Sequence, residues 1–187
     1  MKTSKISFTS AIRPMSVSRF LKETGDIPLS NRIYSPWTAK QIIKKNAALT
    51  ENIYDCSAGG ITNGKEVVMF HICTGKENRR FKTIENIILE KIKSFKNPQG
   101  FLLGSASCFE ESSKLFKKFQ NFMEKNKIPY SMFKGNKTYT HIAYDGAKDE
   151  WLIANPILSK NGLQPTETLL KQSFEDINIC SKDFIID

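Results

Sequence analysis

Asn63-Gly64, followed closely by the run Glu66 to Cys73 (EVVMFHIC), constrains this chain more than any other stretch. Asn-Gly suits the positive-φ positions of a tight hairpin turn. The run behind it is β-branched, aromatic and almost uninterrupted in its apolar character, the pattern of a strand buried on both faces. Side chains in such a strand alternate, so Val67, Met69, His71 and Cys73 share one face, opposite Val68, Phe70 and Ile72. His71 and Cys73 are the titratable side chains that this pattern places together on one face.

The rest of the chain reads as an alternation of hairpins and isolated helices. A strand is expected over Thr50 to Ala58, favoured by Ile53 and Tyr54 and ended by Gly59-Gly60. Ser35-Pro36-Trp37 has the form of a helix start, with Ser35 as N-cap and Pro36 at the first helical position. That helix would run through AKQIIKKNAAL to near Ala48. Ile84, Ile87, Ile88, Leu89 and Ile92 recur at helical spacing and predict a helix over Thr83 to Phe95, broken by Asn97-Pro98-Gln99-Gly100. Phe101-Leu102-Leu103 is a short buried strand. Ser107 and Glu110 form a capping box, and the helix they open runs to about Asn126, with Leu115, Phe116, Phe119, Phe122 and Met123 on one face. Ile128 to Phe133 is a strand, with a turn at Lys134-Gly135-Asn136. Tyr139 to Tyr144 and Glu150 to Ala154 form a second hairpin. A short helix over Thr166 to Ser173 and a strand over Cys180 to Ile186 complete the pattern. Residues 1–34 show little periodicity and are expected to be a loosely ordered start, a poorly ordered extension that leads into a short strand or helix. The expectation is one α+β domain over residues 1–187: a mixed, mainly antiparallel sheet core or sandwich flanked by helices.

Composition narrows the function classes. Across 187 residues, 28 Lys and Arg face 19 Asp and Glu, a formal net charge of +9. That excess favours an anionic partner, such as an acidic protein face. No apolar run approaches the ~20 residues that span a bilayer, so no membrane partner is expected. Cys56, Cys73, Cys108 and Cys180 are irregularly spaced in a chain too large to depend on disulfides, which reads as free thiols in a reducing compartment.

Cys56 and His71 stand on what read as neighbouring strands joined through the Asn63-Gly64 turn. Cβ atoms on facing strands approach to about 4.5–5.5 Å, which brings a thiol within reach of an imidazole. An imidazole can take the proton of a thiol and so generate the nucleophile. Strand alternation sends Asp55, the residue before the thiol, to the opposite face. A papain-like arrangement competes, with Cys56 as nucleophile and His141 and Asn155 as partners; SAGGITNGK after Cys56 is a poor helix former, which counts against it. A metal site from Cys56, His71 and Cys73 is a third option, set back by the want of a CxxC pair or an obvious fourth ligand. A basic module binding single-stranded nucleic acid through Tyr130, Phe133, Tyr139 and Tyr144 is a fourth, without a recognisable motif to support it.

Thr50, Cys56 six residues on and His71 fifteen after that form a pattern that resembles the Cys/His glutamine deamidase superfamily. That superfamily includes the Burkholderia lethal factor, the cytotoxic necrotizing factor catalytic domain and, more distantly, the chemoreceptor deamidase CheD. Where those toxins carry Leu-Ser-Gly ahead of the cysteine, this chain has Tyr54-Asp55. The order of elements from Thr50 to Ala154 also resembles CheD. The resemblance implies a CheD- and CNF-like deamidase fold and hydrolysis of a protein glutamine side chain to glutamate, with no metal or organic cofactor. It implies Cys56 as nucleophile, His71 as general base and Thr50 as the residue that orients the histidine. It further implies a toxin or effector, monomeric, acting on a host protein with an acidic face. Such a protein would leave the cell by a non-classical route or be injected into the host cytoplasm; a CheD-like role would keep it in the bacterial cytoplasm.

Overall fold

A computed structural model of the chain describes residues 9–33, 40–75, 79–104, 110–134 and 139–155. Among the described residues, ten strands form two mixed sheets, and three α-helices cover their outer faces, so the fold is α+β. The strands are β1 (Ala11–Met15), β2 (Arg32–Ile33), β3 (Lys40–Lys45), β4 (Ala47–Ile53), β5 (Ser57–Thr62), β6 (Val67–Ile72), β7 (Gln99–Gly104), β8 (Tyr130–Lys134), β9 (Thr140–Asp145) and β10 (Glu150–Ala154). The helices are α1 (Val17–Glu23), α2 (Phe81–Ile92) and α3 (Glu110–Lys125). The first sheet runs β1-β10-β9-β4-β2 and the second β3-β6-β5-β7-β8. Five of the strand pairings are antiparallel; β1–β10, β2–β4 and β7–β8 are parallel.

The two sheets stack face to face. Ile12, Ala48, Ile142, Tyr144, Trp151 and Ile153 of the first sheet bury one core with Ala58, Val67, Met69, Phe101, Leu103 and Phe133 of the second. The alternation expected in β6 is present: Val67 and Met69 enter this core, while Val68, Phe70 and Ile72 meet α2 and α3 on the other side. The aromatic stripe of α3 lies on that outer face, where Phe119 stacks on Phe70 with ring centroids 4.6 Å apart. On the far side, Phe20 of α1 packs on Leu49, Ala143 and Leu152. The layers therefore run helix, sheet, sheet, helices. Among the described residues, no helix is long and apolar enough to cross a membrane.

Three expectations need correction. Where the helix expected from Ser35-Pro36 to near Ala48 covers residues 40–48, the chain is instead strand β3, the start of β4 and the turn between them. Ile42 and Ile43, adjacent in sequence, face the helix side and the inner core respectively, a division that successive residues of a strand achieve and one helix stripe does not. Its lysines belong to an edge strand, where charge discourages further pairing. Gly59-Gly60 does not end a strand but lies inside β5. A Cβ on Gly60 would fall 2.7 Å from Trp151 Cη2, and one on Gly59 2.2 Å from the Phe101 carbonyl oxygen, so close packing fixes both glycines. Finally, within residues 9–33 the short strand and helix expected after a loose start are both present, as β1 and α1, and this stretch is ordered as an integral part of the first sheet rather than an extension to it. β1 pairs with β10, Ile12 is fully buried, and the Arg13 guanidinium holds Glu150 at 2.9 Å. The expectations on Ser35-Pro36-Trp37, Ser107, Gly135-Asn136, Thr166 to Ser173 and Cys180 to Ile186 lie outside the described residues.

Candidate functional site

The expected strand over Thr50 to Ala58 divides in two, and the division creates the candidate site. β4 belongs to the first sheet and β5 to the second. The pairing of β4 with β9 is irregular between Thr50 and Ile53, where Asn52 takes a φ of 56°. Asn is among the residues that tolerate this left-handed conformation. Tyr54, Asp55 and Cys56 then carry the chain across the open end of the sandwich, away from the Asn63-Gly64 turn. Ser112, near the start of α3, donates a hydrogen bond to the Asp55 carbonyl and anchors the crossing.

Thr50 points into the sandwich from the first sheet and His71 from the second. Thr50 Oγ1 lies 2.8 Å from His71 Nδ1, and the two side chains are 0% and 2% exposed. The bond therefore spans the gap between the sheets. Cys56 directly precedes β5. In the register that pairs Ser57 with Ile72 and Ala58 with His71, the next position opposes Cys56 to Cys73. Their sulfurs are 3.3 Å apart. Cys56 Sγ, Cys73 Sγ and a ring nitrogen of His71 all lie within 4.8 Å of one another. The structure thus brings Thr50, Cys56 and His71 together and adds Cys73, which the sequence had placed on the correct face without a task. The signal that would have found it is the hairpin register: positions 56 and 73 flank the turn symmetrically, as 58 and 71 do, and so oppose each other.

Burial controls the charge state. It pulls the His71 imidazole down to about 4, with the negative Asp55 nearby pulling weakly the other way. The Cys56 thiol is pushed far above its ordinary value by the adjoining Cys73 sulfur, by burial and by Asp55. Asp55 does not point away, as strand alternation implied. The residue lies in the crossing and not in a strand, and its Oδ1 is 3.6 Å from Cys56 Sγ. At neutral pH the site holds a protonated thiol beside a neutral imidazole. His71 Nε2 is buried and has no hydrogen-bond partner. With the proton on Nδ1, donated to Thr50 Oγ1, the Nε2 lone pair is free to accept a proton.

The second constellation does not assemble. His141 sits on the outer face of the first sheet, its ring centroid 5.8 Å from that of Phe20, whereas Cys56 belongs to the core between the sheets. Its Nδ1 accepts from the Asn52 backbone N–H at 3.4 Å. Asn155 is buried and donates to Thr140 Oγ1 at 2.9 Å. The sheet itself separates His141 from the thiol, so Cys56, His141 and Asn155 cannot act as one unit.

No protein-family model matches the chain, and a search of curated proteins finds no match. The chemistry available therefore rests on the cluster itself: one buried base with a fixed ring, one thiol within its reach, and a second thiol against the first. Arg79 and Arg80 are exposed a few residues beyond the end of β6, and Lys82 nearby pairs with Glu85 at 3.0 Å.

Proposed function

We propose that this chain is a protein-glutamine deamidase that hydrolyses a glutamine side chain to glutamate through a Cys56–His71 thiol mechanism. The observation that supports it best is the Thr50–His71 hydrogen bond across the sandwich with Cys56 beside the ring. That arrangement supplies a nucleophile, a base and a group that orients the base, which acyl transfer requires.

In this mechanism His71 Nε2 takes the Cys56 proton as Sγ attacks the carboxamide carbon. The carbonyl oxygen becomes an oxyanion, stabilised by backbone N–H groups at the crossing around Cys56. The imidazolium returns its proton to the nitrogen, the C–N bond breaks and ammonia leaves, with a thioester on Cys56. Water, deprotonated by the same nitrogen, attacks the thioester; glutamate departs and the thiol is restored. The neutral thiol–imidazole resting pair means that the proton moves as the bond to carbon forms. Buried Thr50 never meets the substrate and fixes the ring. No metal or organic cofactor takes part.

The fold in this reading is of the CheD and cytotoxic necrotizing factor kind. The net charge of +9 matches a target with an acidic face around the glutamine, contacted by Arg79 and Arg80. The protein acts as a monomeric effector, exported by a non-classical route or injected into a host cell; a bacterial cytoplasmic deamidase is the alternative setting. The decisive experiment exposes cell extract to the wild type and to Cys56→Ala and maps Gln→Glu conversions by mass spectrometry. Conversion at defined sites with the wild type alone supports the proposal. Identical maps from the two proteins reject it.

A further inference from the structure

The deamidase mechanism leaves Cys73 without a task, although its sulfur lies 3.3 Å from the proposed nucleophile. We propose that Cys56, His71 and Cys73 form a binding site for a thiophilic divalent cation, Zn2+ first among them, and that the bound metal switches off the thiol chemistry of the same site. The switching clause rests on the deamidase reading; the metal site does not.

Four features converge. The three donor atoms already lie within 4.8 Å of one another. Zinc–sulfur bonds of about 2.3 Å in a tetrahedron put two sulfurs roughly 3.8 Å apart, so the thiols need separate by only about half an ångström. His71 Nε2 is buried without a partner, which is the condition of a ligand atom whose occupant is a metal. Thr50 meets the other ring nitrogen at 2.8 Å, as the outer partner of a metal-bound histidine does when it fixes ring and tautomer. Asp55 Oδ1, 3.6 Å from Cys56 Sγ, places negative charge beside the site. The missing CxxC is replaced by the hairpin: two cysteines directly opposite on neighbouring strands converge as a close sequence pair would.

Binding releases two thiol protons to solvent and leaves a neutral Zn2+–dithiolate–imidazole unit with one coordination position open. It engages the Cys56 sulfur and the His71 lone pair together, so a metal-bound molecule has neither nucleophile nor base. Metal and acyl transfer exclude each other.

The test titrates the full chain with Co2+ under a phosphine reductant and follows absorbance. The expected wild-type result is one equivalent of tetrahedral Co2+ with a thiolate-to-metal charge-transfer band, displaced by Zn2+. Cys73→Ser and Cys73→Ala should lose that band while keeping the wild-type circular dichroism. Their Zn2+ affinity should fall by more than the about 10–100-fold that loss of an outer partner costs. Thr50→Val should keep the band with affinity lowered by about that 10–100-fold. A weak octahedral spectrum, no band, or an unchanged band in both folded Cys73 variants overturns the site, the last by assigning the thiolates to other cysteines. Deamidation is read separately. Zn2+ should inhibit the wild type and spare Cys73→Ser, and equal inhibition of the two rejects the switch. A cobalt band in a protein that deamidates nothing upholds the metal site and removes the deamidase reading.

Discussion

Thr50→Val tests the claim that a hydroxyl from one sheet sets the state of a base on the other. Valine has nearly the shape of threonine, so the cavity stays filled, but the acceptor 2.8 Å from His71 Nδ1 disappears. A buried N–H left without a partner costs about 1–3 kcal/mol, and the apolar methyl returns a little of it, so a net loss of about 1–2 kcal/mol is expected. Thr50→Ser keeps the hydroxyl and removes a fully buried methyl, a loss of about 1 kcal/mol. Urea melts therefore rank the two variants close together and do not decide the question. The imidazole tautomer does. Nitrogen-15 shifts should place the His71 proton on Nδ1 in the wild type and in Thr50→Ser, and spread it over both nitrogens in Thr50→Val. Turnover should fall about 5–30-fold in Thr50→Val if that loss is felt in the transition state, since each 1.4 kcal/mol of lost stabilisation is tenfold in rate, and only a few-fold in Thr50→Ser. A Thr50→Val protein with the wild-type tautomer and undiminished turnover refutes the reasoning.

Two further outcomes follow from burial and packing. The His71 ring should titrate near pH 4 by NMR and stay neutral at pH 6; a midpoint close to 6.5 would contradict its burial. Because the folded state resists protonation, the unfolded chain takes up the proton first. Stability from this residue is complete above about pH 6.5 and is lost as pH falls toward 4, by up to roughly 3 kcal/mol, visible as a falling urea midpoint that His71→Gln should flatten. Gly60→Ala should lower the melting temperature through about 1–3 kcal/mol of overpacking, since the new Cβ would lie 2.7 Å from Trp151 Cη2 and 2.8 Å from Val67 Cγ2. An unchanged melting temperature would mean that the sheets are less closely packed than described.

The parts of the fold legible in the sequence were those whose pattern is local. The β5–β6 hairpin announces itself through Asn63-Gly64, where Gly64 takes a φ of 87°. The helical spacing of Ile84 to Ile92, the aromatic face of α3 and the β9–β10 hairpin are equally self-contained. What was missed depends on neighbours distant in sequence. β1 carries Pro14 and a buried arginine, neither typical of a strand; it is permitted because β1 is an edge and because Glu150 neutralises Arg13. β3 reads KQIIKK, adjacent isoleucines followed by adjacent lysines, a pattern too short to separate a strand from a helix. Cys56 and His71 were singled out by the hairpin reading and Thr50 by a spacing that resembles a known pattern, and neither gave a hint that Thr50 and His71 stand on different sheets. Asp55 and Asn52 were the overlooked signs: two turn-forming residues inside a supposed strand mark the place where the chain changes sheets.

That change of sheets has a consequence for the order in which the protein is made. The second sheet is complete once β8 has emerged, whereas β4 still waits for β9, and Arg13 waits for a partner 137 residues away. A nascent chain stopped between β8 and β9 carries the thiol and the imidazole on a finished sheet, while Thr50 has only the two-residue strand β2 beside it. The ring then has no fixed partner and the apolar inner face lies open to water. The geometry of the proposed site is therefore complete only with the closing of the sandwich, after β9 and β10 have emerged from the ribosome.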